Sequence, residues 1–148
     1  MRVRRGALGI AAALALSLPL PGGQATKKYE LTPGATAQTV DVTVDHVTVN
    51  QVILEFKNTS GSGPLRKSGS EAKVRMDNNG STDVEAGVAL VVMDRDGNVL
   101  AAGSCGTKVG WLKAGERDTC SADFSYVFRN LANASSLLVT LETRHPTK

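Results

Sequence analysis

The chain has 148 residues with 41% hydrophobic and 21% charged positions, enough for one domain with a modest core. That composition excludes a multidomain enzyme, a collagen-like repeat and a wholly disordered chain. The formal charge of +3 suggests an anionic partner only until the N-terminus is considered.

Residues 1–5 contain Arg2, Arg4 and Arg5, and residues 6–20 are uncharged and rich in Ala and Leu. Gly23-Gln24-Ala25 then supplies a small-x-Ala site. A basic start, a short apolar stretch and such a site read as a secretory signal peptide over residues 1–25. As a helix the apolar stretch would reach only about 22 Å, short of a hydrocarbon core of about 30 Å. The mature chain is therefore expected to have no membrane span. Loss of the three arginines lowers Lys plus Arg from 17 to 14, which equals Asp plus Glu. No net positive field is left to attract nucleic acid. The expected address is extracytoplasmic, periplasmic or secreted.

Export sets the reading of the only two cysteines, Cys105 and Cys120. An even count in an oxidising compartment predicts one disulfide. Their spacing is too wide for a Cys-x-x-Cys redox motif, and no Cys or His cluster completes a zinc site.

Beyond residue 25, Val, Ile and Thr total 29 against 10 Leu, a balance that favours strands. Residues 26–38 lack alternation and are expected to be a flexible N-terminal segment. The sandwich domain is expected over 39–144, with a loose tail at 145–148. Val40, Val42 and Val44 share one face of a strand. Val47 and Val49 shift parity, which predicts a bulge or bend near His46. Val52, Leu54 and Phe56 continue, and Gly, Ser and Pro over 58–64 predict a loop. Ala72, Val74 and Met76 line the next strand, which ends at Asn78-Asn79-Gly80.

Val84, Ala86, Val88, Leu90 and Val92 form the longest alternation. The opposite face becomes apolar at Ala89, Val91 and Met93, so this strand is expected to be central, its second half covered on both faces. Asp94-Arg95-Asp96-Gly97-Asn98 predicts a hairpin turn with Gly97 left-handed. A return strand starts at Val99, a turn occupies 113–116, and a strand is expected over 119–128. Phe124, Tyr126 and Phe128 would face the core. A short helical turn within 129–136 and a last strand over 137–141 close the chain. About seven or eight short strands with no long helix predict an all-β antiparallel sandwich, with a closed barrel as the alternative.

The run Lys73-Val74-Arg75-Met76-Asp77-Asn78-Asn79-Gly80, residues 84–94, Asp96-Gly97-Asn98-Val99-Leu100 and Leu112-Lys113-Ala114-Gly115-Glu116 resembles the FxLYD-type family. These are immunoglobulin-like domains of exported bacterial proteins. The resemblance spans about residues 73–141, and Val92-Met93-Asp94 stands where the family has Leu-Tyr-Asp. It implies an immunoglobulin-like β-sandwich in an exported protein and carries over no catalytic residue.

Site chemistry is sparse. Asp94, Asp96 and Asn98 alternate oxygens, but Gly97 comes too early for a helix-loop-helix calcium site. His46, His145, Met76 and Met93 lack the free cysteine of a copper site. There is no Gly-x-Ser-x-Gly elbow, and His46 is the one candidate base. The expectation is no catalytic residue, no metal and no cofactor, with a small hydrolase or metal-binding protein as remote alternatives. Trp111 is the one candidate partner-binding residue, because Trp is enriched at interface hot spots; the competing role is a core plug. The functional expectation is an exported binding module for a protein or peptide of the cell envelope or medium. A purely structural domain or envelope subunit is the alternative.

Overall fold

The computed structural model describes residues 22–32, 35–56, 70–107, 110–124 and 131–146. Within them lie eight strands: β1 (Gln24–Glu30), β2 (Ala37–Val44), β3 (Val47–Glu55), β4 (Glu71–Asn78), β5 (Glu85–Met93), β6 (Val99–Gly106), β7 (Arg117–Asp123) and β8 (Ser136–Arg144). One 3-10 turn, Leu131–Asn133, precedes β8. The strands form two open four-stranded antiparallel sheets, ordered β1-β8-β5-β6 and β2-β3-β4-β7. The chain is an all-β sandwich, and the barrel alternative falls because neither sheet closes on itself.

Alternation builds the core as expected. Val40, Val42 and Val44 face Val47, Val49, Val52 and Leu54 within one sheet, beside Ala72, Val74 and Met76. From the other sheet come Val84, Ala86, Val88, Leu90 and Val92 with Leu137, Val139 and Leu141. β5 is central, flanked by β8 and β6.

The structure corrects four expectations. The flexible segment at 26–38 instead holds most of β1 and the start of β2. β1 has no hydrophobic alternation because it is an edge strand with only Ala25 and Tyr29 packed against the core. Its order comes from pairing with β8, more than 100 residues away in sequence, from Gln24 opposite Glu142 to Glu30 opposite Ser136. The expected cleavage point after Ala25 therefore falls inside β1. The tail is ordered in part, since His145 Nε2 lies 3.5 Å from Asp45 Oδ2.

The parity change at His46 is a chain reversal. Asp45 and His46 both have positive φ, 46° and 67°, and form a two-residue hairpin turn between β2 and β3. Such turns match the right-handed twist of the strands, and Asp and His tolerate left-handed backbone better than most residues. The register shifts lie elsewhere, between Thr39 and Val42 and between Val49 and Gln51.

Among the described residues, the second half of β5 is not covered on both faces. Ala89 is exposed, Val91 and Met93 are half-buried, and among the described residues no layer packs over them. The strand expected over 119–128 starts at Arg117 and is described through Asp123, with Phe124 buried beyond it. Tyr126, Phe128 and the 58–64 loop lie outside the described residues, as do residues 1–21 of the expected signal peptide.

The two long sides of the sandwich close differently. Along β6 and β7 the disulfide Cys105–Cys120 joins the edge strands of opposite sheets, with Cα atoms 5.6 Å apart. Along β1 and β2, Tyr29 donates its hydroxyl to Asp41 Oδ1 at 2.7 Å and accepts from the Asp41 amide at 3.0 Å. Lys27 Nζ adds an ion pair to Asp41 Oδ2 at 3.1 Å.

Candidate functional site

The strand directions put the Asp45-His46 turn, the 79–84 connection, the 107–116 loop and the end of β8 at one end of the sandwich. Asn78, 1% exposed, organises that end. Its side-chain amide donates to the carbonyls of Thr82 (2.9 Å) and Leu112 (3.0 Å), and its Oδ1 accepts the Gly80 amide (2.9 Å). Its main chain donates to the Glu116 carbonyl and accepts from the Gly115 amide, both at 2.9 Å. A buried amide so satisfied stabilises its surroundings. It also ties the 79–84 connection to the 110–116 turn.

Trp111 sits on that turn. Gly110 before it has φ 77°, and Leu112 after it is buried and exchanges backbone hydrogen bonds with Val84 at 3.0 and 2.8 Å. The Ala114 amide donates to Asp83 Oδ1 at 3.1 Å. At the start of the loop the Thr107 amide donates to the Ala86 carbonyl at 3.0 Å. The loop is thus pinned on both sides of the indole, and Cys105 and Cys120 join the two strands that bear it. Leu112 plugs the core, while Trp111 is 37% exposed. Val99, at the opposite end, is the other large hydrophobic exposed among the described residues.

Asp45 Oδ2 accepts the Thr143 hydroxyl at 2.6 Å and lies beside His145, so Asp45, Thr143 and His145 meet at the Trp111 end. His46 gives its carbonyl to the Asn79 amide. Among the described residues no group of three or more His, Cys, Asp or Glu side chains is placed to hold a metal. The Asp94 carboxylate accepts the Asp96 amide at 2.9 Å, the Asn98 amide at 2.8 Å and the Asn98 side chain, the geometry of a turn.

Four groups depart clearly from their ordinary titration, and burial raises the first of them, the Tyr29 hydroxyl. Hydrogen bonds from Tyr29 and Lys27 hold the Asp41 carboxyl below its usual range. The Glu55 carboxylate, 2.5 Å from Lys73 Nζ, raises that ammonium, and Asp77 does the same for Arg117. Lys73 and Arg117 each owe the shift to an ion-paired carboxylate, and Arg117 begins β7 directly after the 110–116 turn.

Sequence reasoning missed a hollow of about 1150 Å³ at the end of the sandwich opposite Trp111. Leu31, Leu54, Phe56 and Leu131 line it together with Arg95 and Asp96 of the hairpin. Its walls come from four separate stretches of chain, so no local pattern announces it.

No protein-family model matches the chain, and no curated protein matches it.

Proposed function

We propose that the chain is an exported, non-catalytic immunoglobulin-like module, akin to the FxLYD type, that binds a protein or peptide partner in the cell envelope or medium. Trp111 is its anchor. The observation that carries this reading is an exposed indole on a loop pinned by Asn78, Val84 and Asp83. A preorganised aromatic loses little conformational entropy on binding, and Trp recurs at interface hot spots. The disulfide fits an oxidising setting, as does the basic and apolar sequence of residues 1–25.

The test is capture from the organism's own envelope fraction, with the native mature protein and Trp111→Ala as paired baits. The expected result is a partner held by the native bait and lost with Trp111→Ala, while both melt at the same temperature. Identical capture profiles would overturn the role of Trp111 and favour the structural alternative, in which the sandwich has no ligand of its own.

A further inference from the structure

Asn79-Gly80 is the one Asn-Gly pair in the sequence. Such a pair carries its own reaction. The Gly80 nitrogen can attack Asn79 Cγ, because a residue without Cβ leaves the approach open. An N–Cγ bond forms, the Cγ–Nδ2 bond breaks, and ammonia leaves with the proton of the Gly80 amide. Water then opens the cyclic imide at either carbonyl and gives aspartate or isoaspartate. Asn79 is exposed, so its carboxamide meets water. A Cβ at position 80 would lie 3.1 Å from His46 Cβ and 3.2 Å from Asn78 Oδ1. The close approach of the two turns thus calls for glycine at the position where glycine makes Asn79 labile.

The fold opposes this reaction at two points. The Gly80 amide donates to Asn78 Oδ1 at 2.9 Å, an Asx turn. The Asn79 amide donates to the His46 carbonyl, also at 2.9 Å. The nitrogen that must lose its proton holds it in a hydrogen bond, and the backbone on both sides of Asn79 is fixed. The acceptor cannot swing away. Asn78 is 1% exposed, and its Nδ2 donates to the Thr82 and Leu112 carbonyls at 2.9 and 3.0 Å. Asn50, Asn98 and Asn133 precede Gln51, Val99 and Ala134, whose side chains hinder the same attack without any guard.

We propose that Asn79 is a latent deamidation site and that the Asn78 side chain is its guard. The guard is coupled to the Trp111 turn, since one of the two carbonyls that lock Asn78 belongs to Leu112. Opening of that turn frees Asn78 Oδ1, and the Gly80 nitrogen becomes reactive. The product places a carboxylate beside His46 and, in the isoaspartate form, lengthens the main chain by a methylene where the turn is tightest. Deamidation of Asn79 is therefore a lasting record that the Trp111 end has opened. The inference does not depend on what Trp111 binds.

The test is peptide mapping by mass spectrometry, with enzymatic detection of isoaspartate, after long incubation at mildly alkaline pH below the melting transition. The native protein is compared with the same chain in guanidinium chloride, with Asn78→Ala, and with Leu90→Ala, a core truncation of similar cost that leaves the guard in place. The expected result is fast loss of Asn79 in denaturant and its survival in the native protein and in Leu90→Ala. In Asn78→Ala it should react roughly tenfold faster than in Leu90→Ala, the factor set by loss of one hydrogen bond to the reacting amide. Hydrogen exchange of the native protein adds a reading that needs no variant: the Gly80 amide should be protected although its turn is at the surface. Equal rates in folded and denatured native chain, equal rates in the two variants, or a fast-exchanging Gly80 amide would overturn the proposal.

Discussion

Breaking the Cys105–Cys120 bond separates two contributions that the structure places at one site. The bridge spans 15 residues and joins the edges of opposite sheets. In the chain-entropy account a loop of that size restrains the unfolded chain by about 3 kcal/mol. Reduction of the native protein removes that restraint and leaves both sulfur atoms in place. The double substitution Cys105→Ala/Cys120→Ala also deletes a buried side chain, since Cys120 is 2% exposed, for about a further 1 kcal/mol. A sandwich of this size shifts its Tm by roughly 3–6 °C per kcal/mol, between the values for smaller and larger domains. Thermal unfolding by circular dichroism should therefore fall by about 9–18 °C on reduction and by several degrees more in the double variant. Both forms should keep their strand signal, because β6 and β7 remain hydrogen-bonded to β5 and β4. Two titratable thiols in the oxidised native protein, or a Tm indifferent to reductant, would refute the argument.

Leu90→Ala, at a fully buried site of the central strand, should cost about 2–5 kcal/mol in urea unfolding, and Ala89→Ser on the outer face under about 0.5 kcal/mol. Equal effects would mean that the faces of β5 are reversed. Asn78→Ala should cost about 2–3 kcal/mol, because it removes a buried side chain that donates to the Thr82 and Leu112 carbonyls and accepts from the Gly80 amide, and so frees the Trp111 turn; a red shift of indole emission with the loss of stability checks it. Asp41 is more acidic in the folded state than in the unfolded chain, so its contribution is present above the ordinary carboxylate range and is lost as pH falls through the lowered value. Asp41→Asn should flatten that acid limb in chemical denaturation at a series of pH values, and an unchanged acid limb would count against the Tyr29–Asp41–Lys27 closure.

The central elements could be read because their chemistry is local. Val84 to Val92 alternates without interruption, Asp94 to Asn98 carries its own turn residues, and Cys105 and Cys120 had no other partners to choose. β1 could not be read, because Gln24–Glu30 takes strand form only from β8, far along the chain. The Asp45-His46 reversal was hidden because His46 stands where a two-residue hairpin loop usually has Gly. For the site, Trp111 stood out by rarity alone. Asn78, which fixes the Trp111 loop, looked like an ordinary strand end, and its bonds to Thr82, Leu112 and Gly80 appear only when two distant turns meet.

The placement of β1 against β8 has a mechanical consequence. The chain enters β1 and leaves β8 at the same end of the sandwich, on adjacent antiparallel strands. Tension applied between those two points loads the Gly23–Thr143 hydrogen bonds first and the pairs from Gln24–Glu142 onward in succession, so the contact opens as a zipper rather than in shear. Few side chains resist, since β1 packs only Ala25 and Tyr29 against the core. Pulled this way, the domain should release β1 at low force, with Tyr29–Asp41 and Lys27–Asp41 the last ties to break. The rest of the sandwich, held across its far side by Cys105–Cys120, stays closed.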